Sequence, residues 1–370
     1  IGVAILPIIF LVLLLSINVF IYGDDSLNGT NQFILILSGL FGSTIGFANK
    51  VSYKKILTSI SNSVKSVTGA LLILLFVGAL AGTWMISGII PAMVYYGLKI
   101  LDPNIFLPAC IIICSIISVA TGSSWTTSAT VGIALVGIGK ALGIPAGMVG
   151  GAVIAGAYFG DKLSPLSDTT NLAAAVTKVD LFKHIKYLTY TTIPSISITL
   201  IVFIILGFLQ VSDGITDNTN LLNAISEKFN ISLILFIVPL LVLIMIIKKT
   251  PPLIALVIGT LSGALFSLIF QPQIIDELSS GLNSRIVDSY IVIMNTITGE
   301  ISIETNNKIL DDLFSTGGML GMMNTIFLVI GTMVFGGVMD AIGALKTISR
   351  ALLKWADNTF KLFASTVASC

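Results

Sequence analysis

Long apolar runs alternate with short polar ones along this chain. A membrane-crossing helix needs about 20 mostly apolar residues. Residues 5–22, 33–48, 69–90, 187–208, 232–247, 253–270 and 319–339 fit that need. Between 105 and 157 the chain stays apolar, but Thr121-Gly122-Ser123-Ser124 interrupts it and Gly143-Ile144-Pro145 turns it. The pattern predicts an all-α fold: a polytopic transmembrane helical bundle with broken or re-entrant helices. It leaves open whether the pieces between 105 and 157 cross fully or fold back as hairpins. The first run is too long for the h-region of a signal peptide, and it lacks a basic n-region.

Loop charge predicts the orientation, because basic loops stay cytoplasmic. Lys50, Lys54, Lys55 and Lys65 fall in the second loop. Lys178, Lys183 and Lys186 precede the run at 187, Lys248 and Lys249 follow the run ending at 247, and Lys346, Arg350 and Lys354 follow the last run. The segments opposite carry Asp24 and Asp25, Asp213 and Asp217, and the acidic stretch 271–315. They are expected outside, provided residues 105–183 make a net outside-to-inside passage. Composition agrees with this reading. Hydrophobic residues make up 55% and charged residues 10%, against about 25% charged in soluble domains. A net charge of +1 suggests no nucleic-acid partner, and three cysteines suggest neither a disulfide framework nor a zinc site. Cys110 and Cys114 read as small packing residues. Residue 1 is Ile and the last residues stop inside an apolar run, which is expected of a piece truncated at its C-terminal side.

A faint repeat joins Gly82-Thr83-Trp84-Met85-Ile86-Ser87-Gly88 to Gly331-Thr332-Met333-Val334-Phe335-Gly336-Gly337. The charge pattern puts the two copies on spans of opposite direction. Inverted-topology repeats have that signature, and they hold substrate near the midplane at their interface. The expected organisation is residues 1–66 as N-terminal spans with a cytoplasmic loop and 67–208 as a first transport repeat with the ion site. Residues 209–317 then form connecting spans with an external loop, and 318–370 begin an incomplete second repeat.

Two constellations can carry chemistry. Thr121, Ser123, Ser124, Thr126 and Thr127 surround Gly122 and Trp125. Hydroxyls and freed carbonyls are hard ligands for hard cations, and a restarted helix offers N–H groups to an anion. Alternatively, the hydroxyls bond back to their own helix. The second constellation is Asp161 with Ser164, Ser167, Asp168, Thr169, Thr170 and Asn171, around Gly160 and Pro165. Charge inside a membrane is costly and marks function. A carboxylate among oxygen ligands can hold a proton or Na+ by turns, which points to Na+ at Asp161 and Asp168. Alternatively, Asp161 and Lys162 are interfacial loop charges and Asp168 is a helix N-cap. In the second copy of the repeat, Thr332 and Asp340 are candidate positions, with Asp340 in the place of Pro91 or serving as an interfacial charge near Lys346. The one histidine, His184, reads as a solvated loop residue. No P-loop, HExxH, GxSxG or CxxC pattern occurs, so no cofactor and no enzyme activity are expected.

The stretch Ser123-Ser124-Trp125-Thr126, then Val131 to Leu135, then Gly156 to Ala173 with its Gly160-Asp161-Lys162-Leu163-Ser164-Pro165-Leu166-Ser167-Asp168-Thr169-Thr170-Asn171 string, resembles the NhaC family of sodium/proton antiporters. Gly78 to Trp84 does as well. The resemblance implies a multi-pass transporter in a prokaryotic inner membrane. Its transported ions would be sodium and protons, with the lipid bilayer as its surroundings. It also implies alternating-access Na+/H+ exchange. A sodium-coupled organic-acid exchanger of malate/lactate type is the alternative, with Ser123 and Ser124 near a carboxylate. Oligomeric state is not readable.

Overall fold

The computed structural model describes residues 2–355 except 101, 166, 211–217, 249, 280, 282–283 and 306, together with 358, 361 and 364. Contacts divide the chain into two compact units, Ile1–Leu74 with Met322–Cys370, and Leu75–Gly321. Among the described residues, seven helices are long and apolar enough to cross a membrane, or eight if the bent pair Thr219–Lys228 and Leu233–Ile247 is one span. This is a helical multi-pass membrane protein.

In the first unit, α1 (Gly2–Tyr22) and α2 (Thr30–Ala48) pack antiparallel. Asn18 donates to Thr30 and Asn31 at 2.8 Å near one end, and Pro7 lies against Gly42 near the other. α3 (Tyr53–Ile86) starts here, and the chain returns later as α18 (Met323–Ala341) and α19 (Ala344–Trp355). α2 and α18 run parallel. Gly331 meets Gln32, Gly39 meets Val334, Gly42 meets Val338 and Gly46 meets Ile342. Small residues let membrane helices approach this closely. A parallel course suits the charge pattern, which starts both helices outside. α3 is already helical at Tyr53, so residues 53–68 are helix rather than the expected loop. The cause is packing: Ile56 clusters with Val338 and Ala341.

In the second unit, Gly88 (φ 77°) turns α3 into α4 (Ile89–Ile100). α5 (Pro103–Thr121) begins under a cap, with Asp102 accepting the Asn104 N–H at 2.8 Å. It ends at Gly122, which takes the left-handed conformation (φ 70°) that a Cβ would resist, and the Gly122 N–H bonds the Ser118 carbonyl at 2.8 Å. The chain comes back through α6 (Ser124–Thr127), a π-helical stretch (Ser128–Gly132) and α7 (Ile133–Ala141). Gly143 and Pro145 then turn it into α8 (Ala146–Leu163). α7 is antiparallel to α8, since Gly139 touches Val149 and Gly132 touches Val153. α5 and α8 are therefore parallel, and Gly156 and Gly160 press directly on the α5 backbone at Ile111 and Ser115. Three passes carry the chain from one end of the unit to the other, which is the net passage the charge pattern requires.

α9 (Asp168–Thr177) and α10 (Leu181–Gln210) follow. Gly207 of α10 touches Asn104, so α10 runs back along α5. Lys183, His184 and Lys186 sit in its first turns, where a loop was expected, and His184 is half-buried. Next come α11 (Asn218–Lys228), α12 (Ile237–Ile247) and α13 (Pro252–Phe270), the last two packed as a hairpin through Val242 and Gly259. The described residues of 271–315, expected as a loop, form regular structure in large part. It holds α14 (Pro272–Leu278), α15 (Arg285–Thr298), α16 (Lys308–Leu313) and a two-stranded antiparallel pair, β1 (Ile301–Ser302) with β2 (Ser315–Thr316). α17 (Gly318–Gly321) closes the unit. Wholly buried Gln271 explains part of this order. Its amide exchanges two 2.9 Å bonds with the Asn230 backbone.

Candidate functional site

The two polar constellations meet. The break at Gly122 ends α5 on the same side as the end of its parallel neighbour α8, so Thr121 to Ser124 arrive beside Asp161. Ser124, almost fully buried, donates its hydroxyl to Asp161 Oδ2 at 2.9 Å. Thr121, Ser123, Asp161, Ser167, Thr169 and Asn171 line one cavity of about 530 Å3, with Trp125 and Pro165 at its edge. Among the described residues, Ser124 is the one side-chain donor recorded on Asp161. Asn171 spends its NH2 on the Pro165 and Ser167 carbonyls, at 2.8 and 2.7 Å. That leaves its carbonyl oxygen as an acceptor. Ser167 and Thr169 share a 2.9 Å hydroxyl contact.

Other expected ligands hold the backbone instead. Ser164 donates to the Val119 carbonyl at 2.8 Å, tying the end of α8 to α5. Thr170 donates to the Asp161 and Lys162 carbonyls at 3.3 and 3.2 Å, satisfying the last turn of α8. Thr127 donates to the Ser123 carbonyl at 2.9 Å and lies 3.4 Å from Thr121, bracing the restarted helix. The side chains of Thr126 and Asp168 lie outside the described residues, although the backbone at Asp168 opens α9. Thr332 and Asp340 belong to the first unit. The Thr332 hydroxyl returns to the Leu328 carbonyl at 2.9 Å, and Thr83 in the other copy of the repeat likewise bonds the Ala79 carbonyl at 3.2 Å. Both threonines serve their own helices. Asp340 is exposed and accepts from Ser59 at 2.9 Å.

Ile246, Thr250, Pro251 and Pro252 also line the cavity, and the sequence reading passed over them. Their signal was present. Two prolines after a threonine mark a helix start, and α13 begins at Pro252. Lys162 follows Asp161 and Lys248 lies two residues before Thr250 in sequence, and the charge rule predicts a cytoplasmic position for that end.

The chemistry is that of a cavity bearing hydroxyl and amide oxygens with one carboxylate among the described residues, and the sequence can be compared with known proteins. A model described as the Na+/H+ antiporter family matches residues 156–370. The malate-2H(+)/Na(+)-lactate antiporter of Bacillus subtilis is 38% identical over 97% of this chain and 73% of its own length. The Na(+)/H(+) antiporter NhaC of Alkalihalophilus pseudofirmus is 35% identical over 90% of this chain and 69% of its own. The chain belongs to the Na+/H+ antiporter family. This antiporter is a transporter and not an enzyme, as its relatives are. The arginine/ornithine antiporter ArcD of Halobacterium salinarum is a further relative, 32% identical over 96% of this chain and 70% of its own. No solved structure matches the chain. The family match begins at Gly156, so it takes in Asp161 to Asn171 but not Thr121 to Thr127.

Proposed function

We propose that this antiporter exchanges Na+ for H+ across a prokaryotic inner membrane by alternating access, with the Asp161 carboxylate holding either ion by turns. The observation that carries this reading is the Ser124–Asp161 bond in a cavity whose lining includes the hydroxyl residues Thr121, Ser123, Ser167 and Thr169 and the Asn171 amide. Oxygen donors of this kind suit a hard cation. Thr121, Ser123, Ser167, Thr169 and the Asn171 carbonyl are the neutral ligands. Ser124 donates to the empty carboxylate and turns a lone pair to an incoming cation, since a hydroxyl both donates and accepts. Asp168 is the second acid, at the start of α9. The segments around Gly82 and Gly331 form the inverted repeat whose rocking alternates access.

The test is reconstitution of the protein in vesicles with an interior pH dye. Adding Na+ to the wild type should move protons, and Asp161→Asn should abolish that movement while the protein still inserts. Wild-type exchange by the Asn variant would remove Asp161 from the mechanism.

A second reading has its own support. The cavity of about 530 Å3 far exceeds one ion with a few waters, each occupying about 30 Å3 in the liquid. A small organic acid therefore fits beside the cation, in keeping with the malate/lactate relative. Malate- or lactate-driven proton movement in the same vesicles would favour it.

A further inference from the structure

The inner end of the first unit carries a cleft of about 450 Å3. Ser52, Lys54, Lys55, Thr58 and Asn62 of α3 line it, with Asp340 of α18. Asp340 is engaged by the Ser59 hydroxyl. Among the described residues, the ion pair within 4 Å is Lys228–Glu277 alone, so Lys54 and Lys55 line the cleft without a carboxylate partner at that distance. The N-terminal turn of α3 adds the positive end of its dipole, with Ser52 taking the Lys55 and Ile56 N–H groups.

A second feature points the same way. Gly343 (φ 73°) turns the chain out of α18 into α19. Within 344–351, Ala344 is buried and Ile348 and Ala351 are half-buried, while Lys346, Thr347, Ser349 and Arg350 are exposed. α19 packs on α1 and α18 by that apolar side. Its opposite face leaves Lys346 and Arg350 exposed, a basic surface that attracts anionic headgroups. Leu57 on α3 and Leu345 on α19, 50% and 46% exposed, add apolar surface on the same two helices.

We propose that this cleft binds the phosphodiester of an anionic phospholipid from the inner leaflet, with α19 lying along the headgroups. Cationic side chains and a helix N-terminus suit a phosphate, and the exposed apolar positions suit the acyl chains. The cationic cleft and the exposed leucines on α3 and α19 together favour a lipid over a free anion.

The test is titration of the purified protein with phosphatidylglycerol and with phosphatidylcholine, read as bound lipid by native mass spectrometry. Phosphatidylglycerol should bind more tightly. Lys54→Gln/Lys55→Gln should weaken it by about thirty-fold, roughly fivefold for each surface charge. Lys183→Gln/Lys186→Gln makes the same charge change on α10, outside the cleft, and should leave affinity within about fivefold. Equal affinity for the two lipids would overturn the proposal, as would equal loss in both double variants. Displacement of the lipid by inorganic phosphate would assign the cleft to a soluble anion instead. All four lysines are exposed, so the variants keep their fold.

Discussion

Gly160→Ala is the sharpest test of how the site is held. A Cβ at Gly160 would lie 2.5 Å from the Ser118 Cβ, 2.6 Å from the Ser115 carbonyl oxygen and 2.6 Å from the Val119 nitrogen. Two of those atoms are helix backbone and cannot swing aside. Ordinary contact begins near 3.4 Å, so α8 must withdraw from α5 by roughly 0.9 Å. Overpacking of this kind costs about 1–3 kcal/mol. The same withdrawal carries Asp161 from 2.9 Å to roughly 3.8 Å from Ser124, past the reach of a hydrogen bond. A bond to a charged group contributes about 1.5–3 kcal/mol. If that bond positions the carboxylate, the Na+ concentration for half-maximal exchange should rise about tenfold. Thermal unfolding in detergent reads the first effect, and dye-reported exchange in vesicles reads the second. Gly150→Ala on the same helix is the control, because a Cβ there meets nothing within 4 Å. If Gly160→Ala matched Gly150→Ala in melting temperature and in Na+ dependence, the α5–α8 contact would not hold the site.

Asp168→Asn should abolish Na+-dependent proton movement while leaving insertion intact, and normal exchange by that variant would reduce Asp168 to a helix cap. Gln271→Leu should lower stability by about 1–3 kcal/mol, since it removes the two bonds that the amide makes with the Asn230 backbone; an unchanged melting temperature would contradict this. In a background lacking the native cysteines, Ser279→Cys should react with an impermeant thiol reagent in intact cells and Ser52→Cys should not. The reverse labelling would invert the topology.

Much of the fold was legible because a bilayer imposes a length. The apolar runs at 5–22, 33–48 and 253–270 reappear almost unchanged as α1, α2 and α13. Hydropathy sees only the lipid-facing requirement, so it missed the helix beyond it. Residues 53–68 and 181–186 are polar yet helical, the first held by Ile56 against Val338. α15 was hidden for a related reason. It is amphipathic and packs its Thr296 carbonyl against Gly82, a long-range contact no local pattern announces. At the site, Gly122 and the hydroxyls around it marked a break that the structure contains, and Asp161 marked its partner. The α12–α13 contribution was not legible as part of the site, because Ile246, Thr250, Pro251 and Pro252 reach the cavity only through tertiary packing.

The placement of Asp161 bears on how exchange is controlled under the proposed mechanism. A carboxylate locked by several donors would be a structural anchor, and ion binding would have to break all of them. Among the described residues, Asp161 is held by one hydroxyl, from Ser124 at the first position of a four-residue helix. That short helix runs straight into the π-helical stretch Ser128–Gly132. Widened turns of this kind are strained relative to the α-helix and recur at functional sites. The segment that releases the carboxylate is therefore the least regular part of the three-pass core, whereas α8, which carries Asp161, is clamped to α5 by Gly156, Gly160 and the Ser118 bond to Ala157. A rigid acid facing a compliant donor makes the donor move when a cation arrives. Ligand occupancy then reshapes residues 124–132 before it moves any whole helix. Backbone amide exchange should accordingly change between Na+-loaded and proton-loaded protein in residues 124–132 and stay constant in residues 150–160. Equal change in both stretches would place the motion in α8 and refute this division of labour.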